Sequence, residues 1–87
     1  MMEDIEIAPR IIVSEAVHPG RPLIRGTRIQ VSVVLGSLAA GMSVDEVAQE
    51  YDLSREDVLA ALAYAQKVIE RELVLPLPGA RREGPTG

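Results

Sequence analysis

The residues able to do chemistry are few, and they segregate by charge. His18 is the only histidine and there is no cysteine, so disulfides, thiolate metal sites and a cysteine nucleophile are excluded. A metal at His18 would need carboxylates from elsewhere, and none is spaced to supply them. Asp45, Glu46, Glu50, Asp52, Glu56 and Asp57 crowd one short stretch. Four of these (Asp45, Glu46, Glu56, Asp57) fall in the first turns of two expected helices, where the positive end of the helix dipole accounts for them. Gly20, Gly26 and Gly41 are too scattered for a phosphate-cradling loop. With no nucleophile–base pair and no ligand cluster, the chain reads as a non-enzyme that calls for no cofactor or metal.

Positive charge sits on the other side of the sequence. Arg10, Arg21, Arg25 and Arg28, with His18, gather in the N-terminal region, where within residues 10–31 only Glu15 opposes them. If nucleic acid is touched, this basic arm is the place, and the candidate contacts to nucleic acid or a partner are Arg21, Arg25, Thr27 and Arg28, with Arg55 further on. The competing reading is that Arg25 and Arg28 pair with acids of the second and third helices of the same fold. The net charge of −4 weighs against DNA, since phosphate neutralisation supplies most of the affinity of a DNA-binding domain.

The elements that must position these residues are legible. From Ser43 to Ala65 the sequence reads SVDEVAQEYDLSREDVLAALAYA. Ser43 with Glu46, and Ser54 with Asp57, are two capping-box signatures, each a hydroxyl with a carboxylate three residues on. They predict a helix over about 44–50, a tight connector at Tyr51-Asp52-Leu53, and a longer helix over about 55–73 with Val58, Ala61, Leu62, Ala65 and Ile69 inward. That is the pattern of a helix-turn-helix, with the small Ala48 at the crossing. In such a motif the start of the second helix enters the major groove. Here that start has Arg55 as its one cation, and six acids stand against it between Ser43 and Asp57, so phosphates would be repelled.

Upstream, a first helix over about 32–41 should start on Ser32 as N-cap and stop at Gly41, burying Val34, Leu35, Leu38 and Ala39. Residues 11–31 are rich in β-branched residues broken by turn signals. Ile11–Ser14 and Leu23–Arg25 read as strands, Arg28–Gln30 as a third extended piece, and His18–Pro22 and Gly26-Thr27 as turns. Residues 1–10 alternate acids with Ile5 and Ile7, as an edge strand or a frayed terminus would, until Pro9. The fold class is mainly α: a three-helix helix-turn-helix core with a short N-terminal β-hairpin arm. The domain spans 11–75, after an N-terminal segment 1–10 and before a flexible Pro/Gly-rich tail at 76–87.

The second half of the third helix carries more apolar surface than two short helices can cover: Val68, Ile69, Leu73, Val74 and Leu75. It is either the seam of a homodimer, a partner groove, or a face covered by the N-terminal strands. No apolar run approaches the ~20 residues that cross a bilayer, and the acidic start is no signal region. Both features point to a soluble cytoplasmic chain.

The run Gly20-Arg21-Pro22-Leu23-Ile24-Arg25-Gly26-Thr27-Arg28-Ile29 with Val31, then Leu38-Ala39-Ala40-Gly41, Glu56-Asp57-Val58 and Ala60-Ala61-Leu62-Ala63-Tyr64-Ala65, closely resembles the small bacterial family called domain of unknown function 433. The likeness covers about residues 11–70. Gln30 stands where many relatives have proline, and the Tyr51–Leu53 turn is one residue shorter than the commonest version. What the resemblance implies is a homeodomain-like three-helix fold with a β arm and an antitoxin-like role. In that role the chain would bind and silence a PIN-like nuclease and regulate its own operon. No catalytic residues carry over. On physical grounds alone, Gly26 permits a turn, Thr27 caps or closes it, and Arg28 forms an ion pair or meets a ligand.

Overall fold

A computed structural model describes residues 4–72. Three strands come first: β1 (Asp4–Ala8), β2 (Ile11–Ser14) and β3 (Leu23–Ile24). They form one antiparallel sheet in the order β1-β2-β3. Asp4–Ala8 is therefore an edge strand. It returns through Pro9-Arg10, with Arg10 at φ 67, and its register slips between Glu6 and Ala8. Ile11 faces Ile24 and Ile12 faces Leu23 across β2 and β3.

The connections are closed by local hydrogen bonds. The Ser14 hydroxyl, on a buried residue, accepts from the Ala16 and Val17 N–H groups at 3.1 and 3.2 Å. The Arg21 N–H bonds the His18 carbonyl at 3.0 Å, with Gly20 at φ 78 in the position a type II turn reserves for glycine. The next turn repeats the design. Thr27 donates its N–H (3.0 Å) and hydroxyl (2.8 Å) to the Ile24 carbonyl and accepts from Ile29 N–H at 3.0 Å. Thr27 closes the loop. The third extended piece shrinks to one bridge, Leu23 with Gln30.

That bridge corrects the start of the first helix. α1 covers Val31–Ala39 and its N-cap is Gln30, not Ser32. The bridge and a Val31 N–H bond to the Pro22 carbonyl at 3.0 Å hold the entering chain, so the Ser32 hydroxyl has no capping role. At the other end Met42 N–H reaches the Ser37 carbonyl and Gly41 N–H the Leu38 carbonyl, a Schellman turn with Gly41 at φ 109. α2 (Val44–Glu50) has both bonds of its capping box, Glu46 N–H to Ser43 Oγ at 3.0 Å and Ser43 N–H to Glu46 Oε1 at 2.8 Å. Its end is a second Schellman turn, in which Asp52 at φ 56 stands where glycine usually does and Leu53 N–H bonds the Ala48 carbonyl at 2.8 Å. α3 (Arg55–Glu72) opens on the Ser54–Asp57 box, at 3.0 and 3.1 Å.

The core is one cluster of Ile11, Ile24, Val31, Val34, Val47, Ala48, Val58 and Ala61. Sheet and helices share it, so the strands pack on the helices and wall the core, as a three-stranded sheet where the sequence predicted a hairpin arm. The helix faces also differ in part. Val58, Ala61, Ala65 and Val68 turn inward on α3, while Leu62 and Ile69 are 38% and 55% exposed, and Ala39 of α1 is exposed too. Apolar residues occupy two adjacent rows of α3, and the helices and sheet beside it cover only one.

Candidate functional site

Two features can recognise a partner: an apolar groove and a basic face. The groove lies between the start of α1 and the second half of α3. Val31 and Leu35 form one wall, Tyr64, Ala65, Val68 and Ile69 the other, and Pro22 with Arg21 closes the end. Its volume is ≈ 340 Å³, within the range that accepts a ligand or an apolar side chain of a partner. A small residue helps to make it: Ala65 keeps the α3 wall slim, and Val68 beside it is half-buried. Of the seam residues expected from sequence, Val68 and Ile69 line this groove, and Leu73, Val74 and Leu75 lie outside the described residues.

Two of the four arginines of the basic face, Arg10 and Arg25, are paired within the chain. Arg10 Nη1 sits 2.9 Å from Asp57 Oδ1 and 3.5 Å from Ser54 Oγ, tying the β1–β2 turn to the first turn of α3. Arg25 Nη1 is 3.0 Å from Glu6 Oε1, so its partner is on β1 and not on α2 or α3. Arg55 Nη1 is 2.6 Å from Asp45 Oδ1, which cancels the one cation at the start of α3. Among the described residues Arg21 and Arg28 form no ion pair, and both are exposed. Sequence reasoning missed Glu6 and Arg10 as partners. The signal for Glu6 was the alternation of acids with Ile5 and Ile7, which puts its carboxylate on one face of β1.

Among the described residues two carboxyls are perturbed. Glu6 is held below the ordinary carboxylate range by the Arg10 backbone N–H and by the Arg25 guanidinium. Burial pushes the Asp57 carboxyl up, but the Ser54 backbone N–H, the Arg10 guanidinium and the Ser54 hydroxyl together outweigh it and leave the group lowered. The folded Asp57 thus binds its proton more weakly than the unfolded one. The stability it adds is complete above its ordinary value of 3.8 and is lost as pH falls through the lowered one. Urea midpoints measured from about pH 5 down to about pH 2 should fall for the natural chain and fall less for Asp57→Asn.

No three of the described His, Asp and Glu side chains converge to hold a metal ion. A second depression, by Met42, Glu46, Gln49 and Glu50, has two carboxylates in its lining. No described helix is long and apolar enough to cross a membrane.

A family model described as a protein of unknown function, DUF433, matches residues 11–65. The chain belongs to this family. The matched DUF433 span runs from β2 to the middle of α3 and so contains the whole shared core, with the groove's α1 wall. A similar solved structure is the crystal structure of Rv2018 from Mycobacterium tuberculosis, at 29% identity and a TM-score of 0.55. The likeness covers 60% of this chain and 24% of that one, so the DUF433 chain spans about a quarter of that longer protein. No curated protein matches it.

Proposed function

We propose that this chain is an antitoxin-like, cytoplasmic protein with a homeodomain-like helix-turn-helix build, which seats a protein partner in the α1–α3 groove and works as a homodimer. The observation that carries this reading is the groove itself, an open apolar slot beside a helix whose second half the other described residues cover only in part. Family resemblance supplies the class of partner, a PIN-like nuclease. The acidic stretch Asp45–Asp57 suits such a partner, because a site built for RNA phosphates is positive or metal-filled. Binding to operator DNA is the secondary activity of this reading, and it rests on Arg21 and Arg28.

A second reading is a protein-interaction module of the same shape without DNA binding. The ion pairs that engage Arg10, Arg25 and Arg55 favour it. Capture from a lysate of the source cell with the purified chain, followed by identification of bound species by mass, tests the first reading. Recovery of a small nuclease supports it, and recovery of no protein sinks it. DNA binding separates the two. Backbone contacts make affinity fall steeply with salt, and Arg21→Ala with Arg28→Ala should reduce that log–log slope by about 2. A double variant that binds DNA like its parent removes the operator activity.

A further inference from the structure

The row of α3 that the fold leaves bare has a spacing of its own. Leu59 and Leu62 are 43% and 38% exposed, Gln66 is exposed, and Ile69 is 55% exposed. Their separations are three, four and three residues, the a and d positions of a heptad. This row lies one residue on from Val58-Ala61-Ala65-Val68, which faces the fold, so α3 carries two parallel apolar seams. One is filled by the fold and borders the groove. The other is left largely open by the described residues.

We propose that a second copy of this chain docks along Leu59-Leu62-Gln66-Ile69, with the two α3 helices parallel and Gln66 facing Gln66. This specifies the seam of the homodimer proposed above and rests on that reading. Ile69 and Ala65 border both seam and groove, so the copy covers the outer edge of the groove and leaves its α1 wall, Val31 and Leu35, for another partner. Three features select this occupant. A heptad row is self-complementary, because each a/d knob fits the hole made by the same row of a copy. The flanks select the orientation. In a parallel pair Glu70 meets the small Ala65 of the copy, whereas antiparallel helices would set Glu56 against Glu70. In the sequence, Leu73 stands four after Ile69, the spacing at which the row needs an apolar residue. α3 is ~27 Å long, shorter than the three or four heptads an isolated coiled coil requires, so the pair should be in micromolar equilibrium. A polar residue at a central a position fixes register at a cost in affinity.

Sedimentation of the 87-residue chain across about 1 µM to 1 mM should show monomer passing to dimer. Leu62→Glu should abolish the dimer, and Gln66→Leu should strengthen it by about tenfold or more. Ser32→Glu, at the groove mouth, should leave it unchanged. The natural chain lacks cysteine, so Gln66→Cys gives one thiol per chain, and it should cross-link to itself under mild oxidation. A monomer throughout the range overturns the proposal. So does a dimer that survives Leu62→Glu and is lost with Ser32→Glu, which would make the groove the seam. Cross-links that form only when Leu62→Cys and Gln66→Cys chains are mixed overturn the parallel arrangement. None of these results depends on capture of a nuclease, so the two readings fail separately.

Discussion

Ile24→Ala should cost the fold about 2–5 kcal/mol, the range for an aliphatic side chain deleted from a packed core. Ile24 is 0% exposed and pairs across the sheet with Ile11, also 0% exposed. Both belong to the cluster that joins the sheet to Val31 and Val34 of α1 and to Val58 of α3. Deleting three carbons there leaves a cavity bounded by elements that cannot all relax toward it. A domain of this size holds roughly 5–10 kcal/mol in total, so thermal unfolding by circular dichroism should move down by roughly 10–30 °C. Leu59→Ala, on the bare row of α3 and 43% exposed, should cost under about 1 kcal/mol. Equal, small losses in both variants would mean that the strands hang off the helices as an arm, and the shared core described above would be wrong.

The largest functional effect should come from putting charge into the groove. Ser32 is exposed at its mouth, in the first turn of α1, a turn that has no acid of its own. Ser32→Glu therefore places a carboxylate where the helix dipole welcomes it, and the fold should not suffer. An apolar partner side chain seated between Leu35 and Val68 would have to desolvate that charge. A buried unpaired polar group costs about 2 kcal/mol or more, so capture of a protein partner should drop about 30-fold or more. Val68→Glu should act in the same direction more strongly, with some loss of stability because Val68 is half-buried. Gln49→Glu, exposed on α2 and off both the groove and the bare row of α3, is the control. Undiminished capture by Ser32→Glu at unchanged melting temperature would move the partner site elsewhere on the chain.

What the sequence determined by itself is everything decided within about one helical turn. The limits of α2 and the start of α3 follow from Ser43 with Glu46 and Ser54 with Asp57, because a cap is a bond between residues three apart. The strand Ile11–Ser14 and the positive φ of Gly20, Gly26 and Gly41 were legible for the same reason, since each turn bond closes over a few residues. Family membership was legible as well, in the short runs around Gly26-Thr27-Arg28 and Leu38–Gly41.

Tertiary structure alone decided the rest. Arg10 and Asp57 are 47 residues apart, and no local pattern joins them. Arg25 chose Glu6 because antiparallel pairing of β1, β2 and β3 brings the two side chains together. The start of α1 moved to Gln30 because the Leu23 bridge holds that residue extended. On α3 the sequence offers two apolar rows of similar hydrophobicity, one residue out of phase. Nothing within a helix ranks them. The one that is buried is the one that α1, α2 and the sheet happen to meet, and the groove opens where the described residues cover Val68 in part and leave Ile69 exposed.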